Sequence, residues 1–418
     1  MNIDIIALFI ATLLGLHMAA TIGANDLANA MGTSVGSRAL TMRQAVVVSI
    51  IANMLGATFA GGYVCNTISK GIIDPGLLAD EPNRLLLGMF AALAASGTWV
   101  HLATYLALPV STTHSIVGAV VGFGIISVGG GAISWGKIIA IVASWVVSPA
   151  AGALIAGGIY YFVEKRIISA RDPHKAAIHY APALIFLVVL VLILSFIFKG
   201  LKNLHLELSF FHTLLLTTPI AAIVGLFGRR WVRWQVRLKC ELQPNAQGFS
   251  PVDCFFAQLQ VLTACYVAFA HGANDVANAI GPLAAIFSVI KTKAVALQVE
   301  VPIWMLFIGG AAVGGGLFMY GGRIITTIGE KITEITPVRG FCAEFGAATT
   351  ILICSRLGLP VSTTHVLVGS VVGVGLMRGM GVLDLRILKN IGASWIITVP
   401  LTMVLSMILY KVVTFFFL

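Results

Sequence analysis

At 418 residues the chain is long enough for a large core, yet only 10% of it is charged and 58% is hydrophobic, with a mean hydropathy of +0.98. A soluble domain carries about 25% charged residues, so this composition excludes one and places the chain in a lipid bilayer. The net charge of +10 reads as cytoplasmic loops rich in Lys and Arg, and no nucleic-acid partner is expected.

A helix needs about 20 apolar residues to cross the hydrocarbon. Twelve candidate stretches run at roughly 3–22, 45–64, 85–107, 111–127, 138–162, 180–198, 209–228, 252–271, 301–320, 341–355, 361–377 and 388–416. Long β alternation is absent, which argues against a barrel. The fold class is therefore all-α, a polytopic membrane protein of about 12 transmembrane segments. Stretches 3–22 and 252–271 each run past Gly-Ala-Asn-Asp into a brief second piece, and an uncharged link around Pro109 joins 85–107 to 111–127. These are signs of broken or re-entrant helices. No cleavable signal precedes residue 23, and the six cysteines, which form no CxxC pair, read as unpaired packing residues.

The chain repeats itself. Residues 23–30, GANDLANA, return at 272–279 as GANDVANA, and PVSTTH at 109–114 returns at 360–365, at offsets of 249 and 251 residues. Three units follow: a membrane repeat over 1–162, central helices with a short basic cytoplasmic loop over 163–250, and a second repeat over 251–418. With the N-terminus outside, 17 of the 26 Lys and Arg fall in inside loops, with Arg229, Arg230, Arg233, Arg237 and Lys239 as the strongest marker. Both termini are then expected on the extracytoplasmic side of a cell (inner or plasma) membrane. An odd number of segments, seven, separates the two copies, so inverted repeats are expected, with a site near the midplane.

Each motif sets polar groups into apolar sequence, where they are costly and mark a solute path. Pro109 stops a helix, and Ser111 begins the next as a preferred cap, so its first turn offers unpaired N–H groups and three hydroxyls. Ser111, Thr112 and Thr113, with Ser362, Thr363 and Thr364, are the candidate oxyanion ligands. A single such turn would read as a mere cap; two inverted copies favour anion binding. His114 and His365 read as braces for these turns. Asn25, Asp26 and Asn29, with Asn274, Asp275 and Asn278, supply oxygens suited to a hard cation. Gly23 and Gly272 are expected to break the backbone there and free carbonyls for the same ion. A divalent oxyanion beside two ionised aspartates sums to about −4, which two half-helix dipoles of about +0.5 each do not balance. Accompanying cations, or protons on the aspartates, are required.

At these residues the chain resembles the inorganic phosphate transporter family, the low-affinity permeases and their sodium-coupled relatives. GAND in both halves, LPVSTTH in both halves and the stretch 322–332 carry the likeness, which spans essentially the whole chain. The resemblance implies phosphate symport and a homodimer. It also implies phosphate held by Asn25, Asp26, Ser111, Thr112, Thr113, Asn274, Asp275, Ser362, Thr363 and Thr364. Glu344 matches an acid of sodium-coupled members and joins the sodium candidates. The chain departs from many animal and fungal members at Asn53 and near Met89, where they carry Glu, and its central loop is reduced to about 229–250. Keeping the full motif in both halves favours sodium as the co-transported ion, with no organic cofactor.

The rivals are a proton-coupled phosphate or sulfate permease of the same fold, a passive anion channel, and an intramembrane hydrolase using Ser111 or Ser362 with a nearby His. Duplication of the whole set has no use to a hydrolase, so no enzyme is expected. Sulfate donates no hydrogen bond to Asp26 or Asp275 at neutral pH, whereas hydrogen phosphate does. The faces of 138–162 and 388–416, with Trp145 and Trp395, are the candidate dimer surfaces.

Overall fold

The structure, a computed structural model, describes residues 3–200, 210–237, 249–295, 301–320, 325, 335–379 and 385–417. Residues 238–248 of the basic link and, apart from Ile325, all of the stretch 322–332 lie outside the described residues, as does the side chain of Asn29. What is described is almost entirely helical.

Helix α1 (Ile3–Ile22) continues through one wide π-helical turn, Gly23–Leu27, into α2 (Ala28–Gly36). The first half goes on with α3 (Met42–Ala60), α4 (Gly62–Asn66), α5 (Pro82–Tyr105), α6 (Thr112–Ser127) and α7 (Trp135–Val163). Two central helices follow, α8 (Pro173–Gly200) and α9 (Phe210–Val236). The second half comprises α10 (Pro251–Asp275), α11 (Ala277–Thr292), α12 (Ile303–Tyr320), α13 (Pro337–Arg356), α14 (Thr363–Leu376) and α15 (Leu385–Phe417).

Local chemistry sets these boundaries. Thr41 opens α3 and Ser250 opens α10 through reciprocal bonds with Gln44 and Asp253, which satisfy N–H groups that have no partner within the helix. Pro82, Pro251 and Pro337 sit in first turns, where the missing N–H costs nothing. That placement extends α13 four residues ahead of the predicted start at 341. Nine helical stretches among the described residues are long and apolar enough to cross a membrane. Helices α6 and α14 are not: at 16 and 14 residues they reach about 24 and 21 Å, short of the roughly 30 Å hydrocarbon.

The two halves interlock reciprocally. The first helix of each packs on the third of the other, α10 on α3 and α1 on α12, while α6 packs on α15 and α14 on α7. Glycine makes the approach possible. A Cβ on Gly23 would collide with the Val313 carbonyl, and one on Gly272 with the Asn53 carbonyl. Gly118 and Gly122 lie likewise against the α15 backbone, and Gly369 and Gly373 against that of α7. Equivalent elements of the two copies thus exchange equivalent contacts.

Two expectations are corrected here. Gly23 and Gly272 do not break the backbone: the residues flanking both motif turns, Ile22, Ala28 and Val276, keep right-handed helical angles. These glycines are needed for close packing, which any side chain would prevent. The cysteines are not all unpaired. Cys254 is disulfide-bonded, while Cys65, Cys265, Cys342 and Cys354 are free.

Candidate functional site

The link between α5 and α6 is held from the first motif. Asn25 donates to the Thr104 hydroxyl and the Leu108 carbonyl, both at 3.0 Å, and accepts from the Val110 N–H at 3.2 Å. The second copy repeats this, with Asn274 donating to Ser355 at 2.9 Å and to the Leu359 carbonyl at 3.2 Å. Each motif asparagine thus pins the loop that presents the hydroxyl turn. Ser111 and Ser362 cap α6 and α14, accepting the N–H groups of His114 and His365 at 3.1 and 3.2 Å. The nearby histidines act as braces between halves. His114 lies 3.4 Å from the Trp395 carbonyl and its ring packs on Trp145, while His365 stacks on Trp395. Both half-buried tryptophans thus pack against these rings from α7 and α15.

The hydroxyl turns meet at the aspartates. Thr112 donates to Asp26 at 2.5 Å and Thr364, from the other half, donates to the second oxygen of the same carboxylate at 3.1 Å. Thr363 donates to Asp275 at 2.6 Å. Asn278 donates to the hydroxyls of Thr112 and Thr113 at 3.1 and 3.2 Å, and Thr113 donates to the Val361 carbonyl at 3.0 Å. All of these side chains are buried. Of the predicted phosphate set, Asp26, Thr112, Thr113, Asp275, Thr363 and Thr364 thus form one cluster, and Asn278 joins it. Asn25, Asn274, Ser111 and Ser362 stand one layer behind it and shape the turns.

Three buried oxygens in this region receive no donor: Asn274 Oδ1, Asp275 Oδ1 and Asn278 Oδ1. The amide groups of both asparagines are oriented by their own donated bonds, so these oxygens are true acceptors. Buried lone pairs without a donor are costly, and a hard cation is the species that satisfies several at once.

Two residues at the cluster were not anticipated. His271, one helical turn before Asp275, places Nε2 at 3.0 Å from Asp275 Oδ2, and its Nδ1 lies 2.9 Å from Asn53 Oδ1. Asn53 in turn donates to the Gly310 carbonyl at 3.3 Å. Ligand atoms of Asp26, His271 and Asp275 all fall within 4.8 Å of one another. The signal was present in the sequence as a His four residues before the Asp on one helix face, but the first copy carries Ile22 there, so comparing the repeats hid it.

Glu344 belongs to a separate buried network. Its Oε1 accepts from Thr33, Ser34 and Gln260 at 2.7, 2.5 and 3.0 Å, and its Oε2 accepts from Thr263 at 2.6 Å. Ser37 donates to Gln260 at 2.7 Å. The positions that repeat alignment makes equivalent are Leu93, Pro282, Leu283, Ala11, Leu14 and Ile286, none of them polar. The two copies thus differ chemically, with one polar track along α2.

Sequence and structure comparisons agree with this geometry. A family model described as the phosphate transporter family matches residues 22–406. A chloroplastic inorganic phosphate transporter of Arabidopsis thaliana is 41% identical over 424 residues, covering 95% of this chain and 71% of its own. A Pyrococcus abyssi protein named by inference as a phosphate permease is 41% identical over 405 residues, covering 97% of both chains. A solved structure described as the sodium-dependent phosphate transporter superposes with a TM-score of 0.90 at 40% identity, covering 98% of this chain and 99% of that one. By its motifs, its helical architecture and these matches, the chain belongs to the phosphate transporter family.

Proposed function

We propose that the chain is a secondary active transporter that imports inorganic phosphate by symport with sodium, as inverted repeats in a homodimer with both termini outside. The observation that carries the reading is the meeting of two hydroxyl-bearing helix starts, one from each half, on a pair of buried aspartates. Thr112, Thr113, Thr363 and Thr364 supply hydroxyls to the phosphate oxygens, and the helix starts supply N–H groups and positive dipole ends. Hydrogen phosphate donates its one O–H to Asp26 or Asp275. The donor-less oxygens of Asn274, Asp275 and Asn278 take the cation. Glu344 with its hydroxyl shell is a further cation position.

Electrostatics dictates the coupling. Two carboxylates and a dianion in one low-dielectric space sum to about −4, so phosphate binds well only with cations beside it. Sodium suits the all-oxygen donor set, and the sodium-dependent structural relative supports the choice. The reading is tested in proteoliposomes by imposing a sodium gradient or a proton gradient in turn. Phosphate accumulation should follow the sodium gradient. Accumulation driven equally well by protons without sodium would overturn the coupling, and uptake without any gradient-driven accumulation would make the chain a channel.

A further inference from the structure

A third sequence element is duplicated: Ala143-Ser144-Trp145 on α7 returns as Ala393-Ser394-Trp395 on α15. The two copies flank the paired histidines, whose rings meet edge to face with centres 4.4 Å apart. Each histidine packs its ring on the tryptophan of its own half, His114 on Trp145 and His365 on Trp395. Each also bonds to the backbone carbonyl of the other tryptophan, His114 to Trp395 and His365 to Trp145. In these contacts the two copies match.

In their indole N–H groups they do not. Trp145 Nε1 donates to the Pro360 carbonyl at 3.2 Å, two residues ahead of the Ser362 cap. The equivalent carbonyl of the other hairpin, that of Pro109, accepts the Ser394 hydroxyl at 3.3 Å instead. Trp395 Nε1 is buried and has no partner. Ser144, the counterpart of Ser394, turns its hydroxyl to the Ile141 carbonyl of its own helix at 2.6 Å. A buried donor without an acceptor is rare and costly, so it calls for a physical reason. The duplicate supplies one, because the carbonyl that matches the acceptor of Trp145 is that of Pro109.

The place of that carbonyl matters for the site. Pro109 and Pro360 each lead into an extended serine and then the hydroxyl turn, so a bond to either seats the threonines that follow. The α13–α14 hairpin is thus hitched to α7 by an indole, while the α5–α6 hairpin is held to α15 by a serine. In a carrier built of two copies in opposite sense, the arrangement that one copy shows in one conformation is open to the other copy in the conformation facing the other side.

We propose that Trp145 and Trp395 are positioning residues that engage in turn. Trp145 holds the Pro360 carbonyl in the present conformation, and Trp395 takes the Pro109 carbonyl from Ser394 in the opposite one. Each bond seats one hairpin, so the exchange of indole bonds accompanies the exchange of access. The proposal rests on the transport reading above and adds which groups seat the hydroxyl turns in each state.

Trp145→Phe and Trp395→Phe keep a ring against each histidine and remove the N–H. The first loses a bond of the present conformation, the second a bond of the opposite one. Apparent affinity at a face follows the fraction of carrier open to it. In vesicles of both orientations, the ratio of the phosphate KM values at the two faces should therefore move about threefold to tenfold, in opposite senses in the two variants. In the double variant the two biases cancel, and the ratio should return near the wild-type value. Damage to folding alone lowers the amount of active carrier and leaves the ratio unmoved. Shifts in the same sense, or no shift, would overturn the alternation.

A second readout needs no phosphate. Amide hydrogen exchange of the purified protein should rise across residues 357–361 in Trp145→Phe and should not rise there in Trp395→Phe. Any other pattern counts against the proposal. Wild-type vesicles that carry no phosphate would instead sink the transport reading, which the exchange measurement does not touch.

Discussion

Asp26 is the residue on which both halves converge, since its two carboxylate oxygens take hydroxyls from Thr112 of α6 and Thr364 of α14. An Asp26→Asn change replaces one acceptor oxygen with a donor, which then faces a hydroxyl, and removes a charge that offsets sodium. Sodium-driven uptake of labelled phosphate should be abolished in Asp26→Asn and equally in Asp275→Asn; normal sodium-dependent uptake by either would remove it from the cation site. Thr112 has a different task, because it donates to Asp26 while accepting from Asn278. Thr112→Val leaves both partners short, a loss of about 1–3 kcal/mol for each unsatisfied buried group. Phosphate KM should rise by tenfold or more at unchanged protein level, and an unaltered KM would place Thr112 outside the binding site. Residue type and spacing were enough to single out these residues as candidates. That Asn25, Asn274, Ser111 and Ser362 shape the turns while the threonines face the aspartates was not legible, because spacing does not say which way a side chain bonds.

At the scale of elements, the glycines of the two motifs decide how close α1 comes to α12 and α10 to α3. A methyl group on Gly272 would meet the Asn53 carbonyl and the Ala57 N–H. Backbone cannot yield as a flexible side chain does, so overpacking of this kind costs typically 1–3 kcal/mol or more. Gly272→Ala and Gly23→Ala should each lower the unfolding temperature of the detergent-solubilised protein, whereas Gly158→Ala, with open space at its Cβ, should leave it unchanged. Equal melting of all three would show that helix approach is not limiting. The sequence led to a different expectation for Gly23 and Gly272, a broken backbone, since the same residue serves both purposes. Which one applies depends on a helix far away in the chain. The polar track along α2 is similar: Thr33, Ser34 and Ser37 fall on one helical face, but only the approach of α10 and α13 makes them the shell of Glu344.

For the whole molecule, the consequence of crowding negative charge into one space is reciprocal binding. Sodium should tighten phosphate binding, and phosphate should tighten sodium binding by the same factor, on the order of 5–150-fold. Titration calorimetry of the purified protein with each ligand, alone and with the other saturating, measures both. Independent affinities would contradict electrostatic coupling. The two copies also differ despite the duplicated motifs, with the Phe123 ring packed on Gly88 in the first and Arg339 and Val374 at the equivalent positions of the second.

Composition and hydropathy alone determined the membrane setting, the helical class and nearly every helix, because covering a hydrocarbon core demands long apolar runs whatever the tertiary arrangement. Duplication alone located both motifs and the threonines that matter. Tertiary structure decided what meets what: the Thr364 hydroxyl of one half on the Asp26 carboxylate of the other, Asn53 on His271, and the hydroxyl shell of Glu344. Those contacts join residues tens to hundreds of positions apart, and in a chain built of repeats the differences between copies acquire meaning only once the halves are packed together.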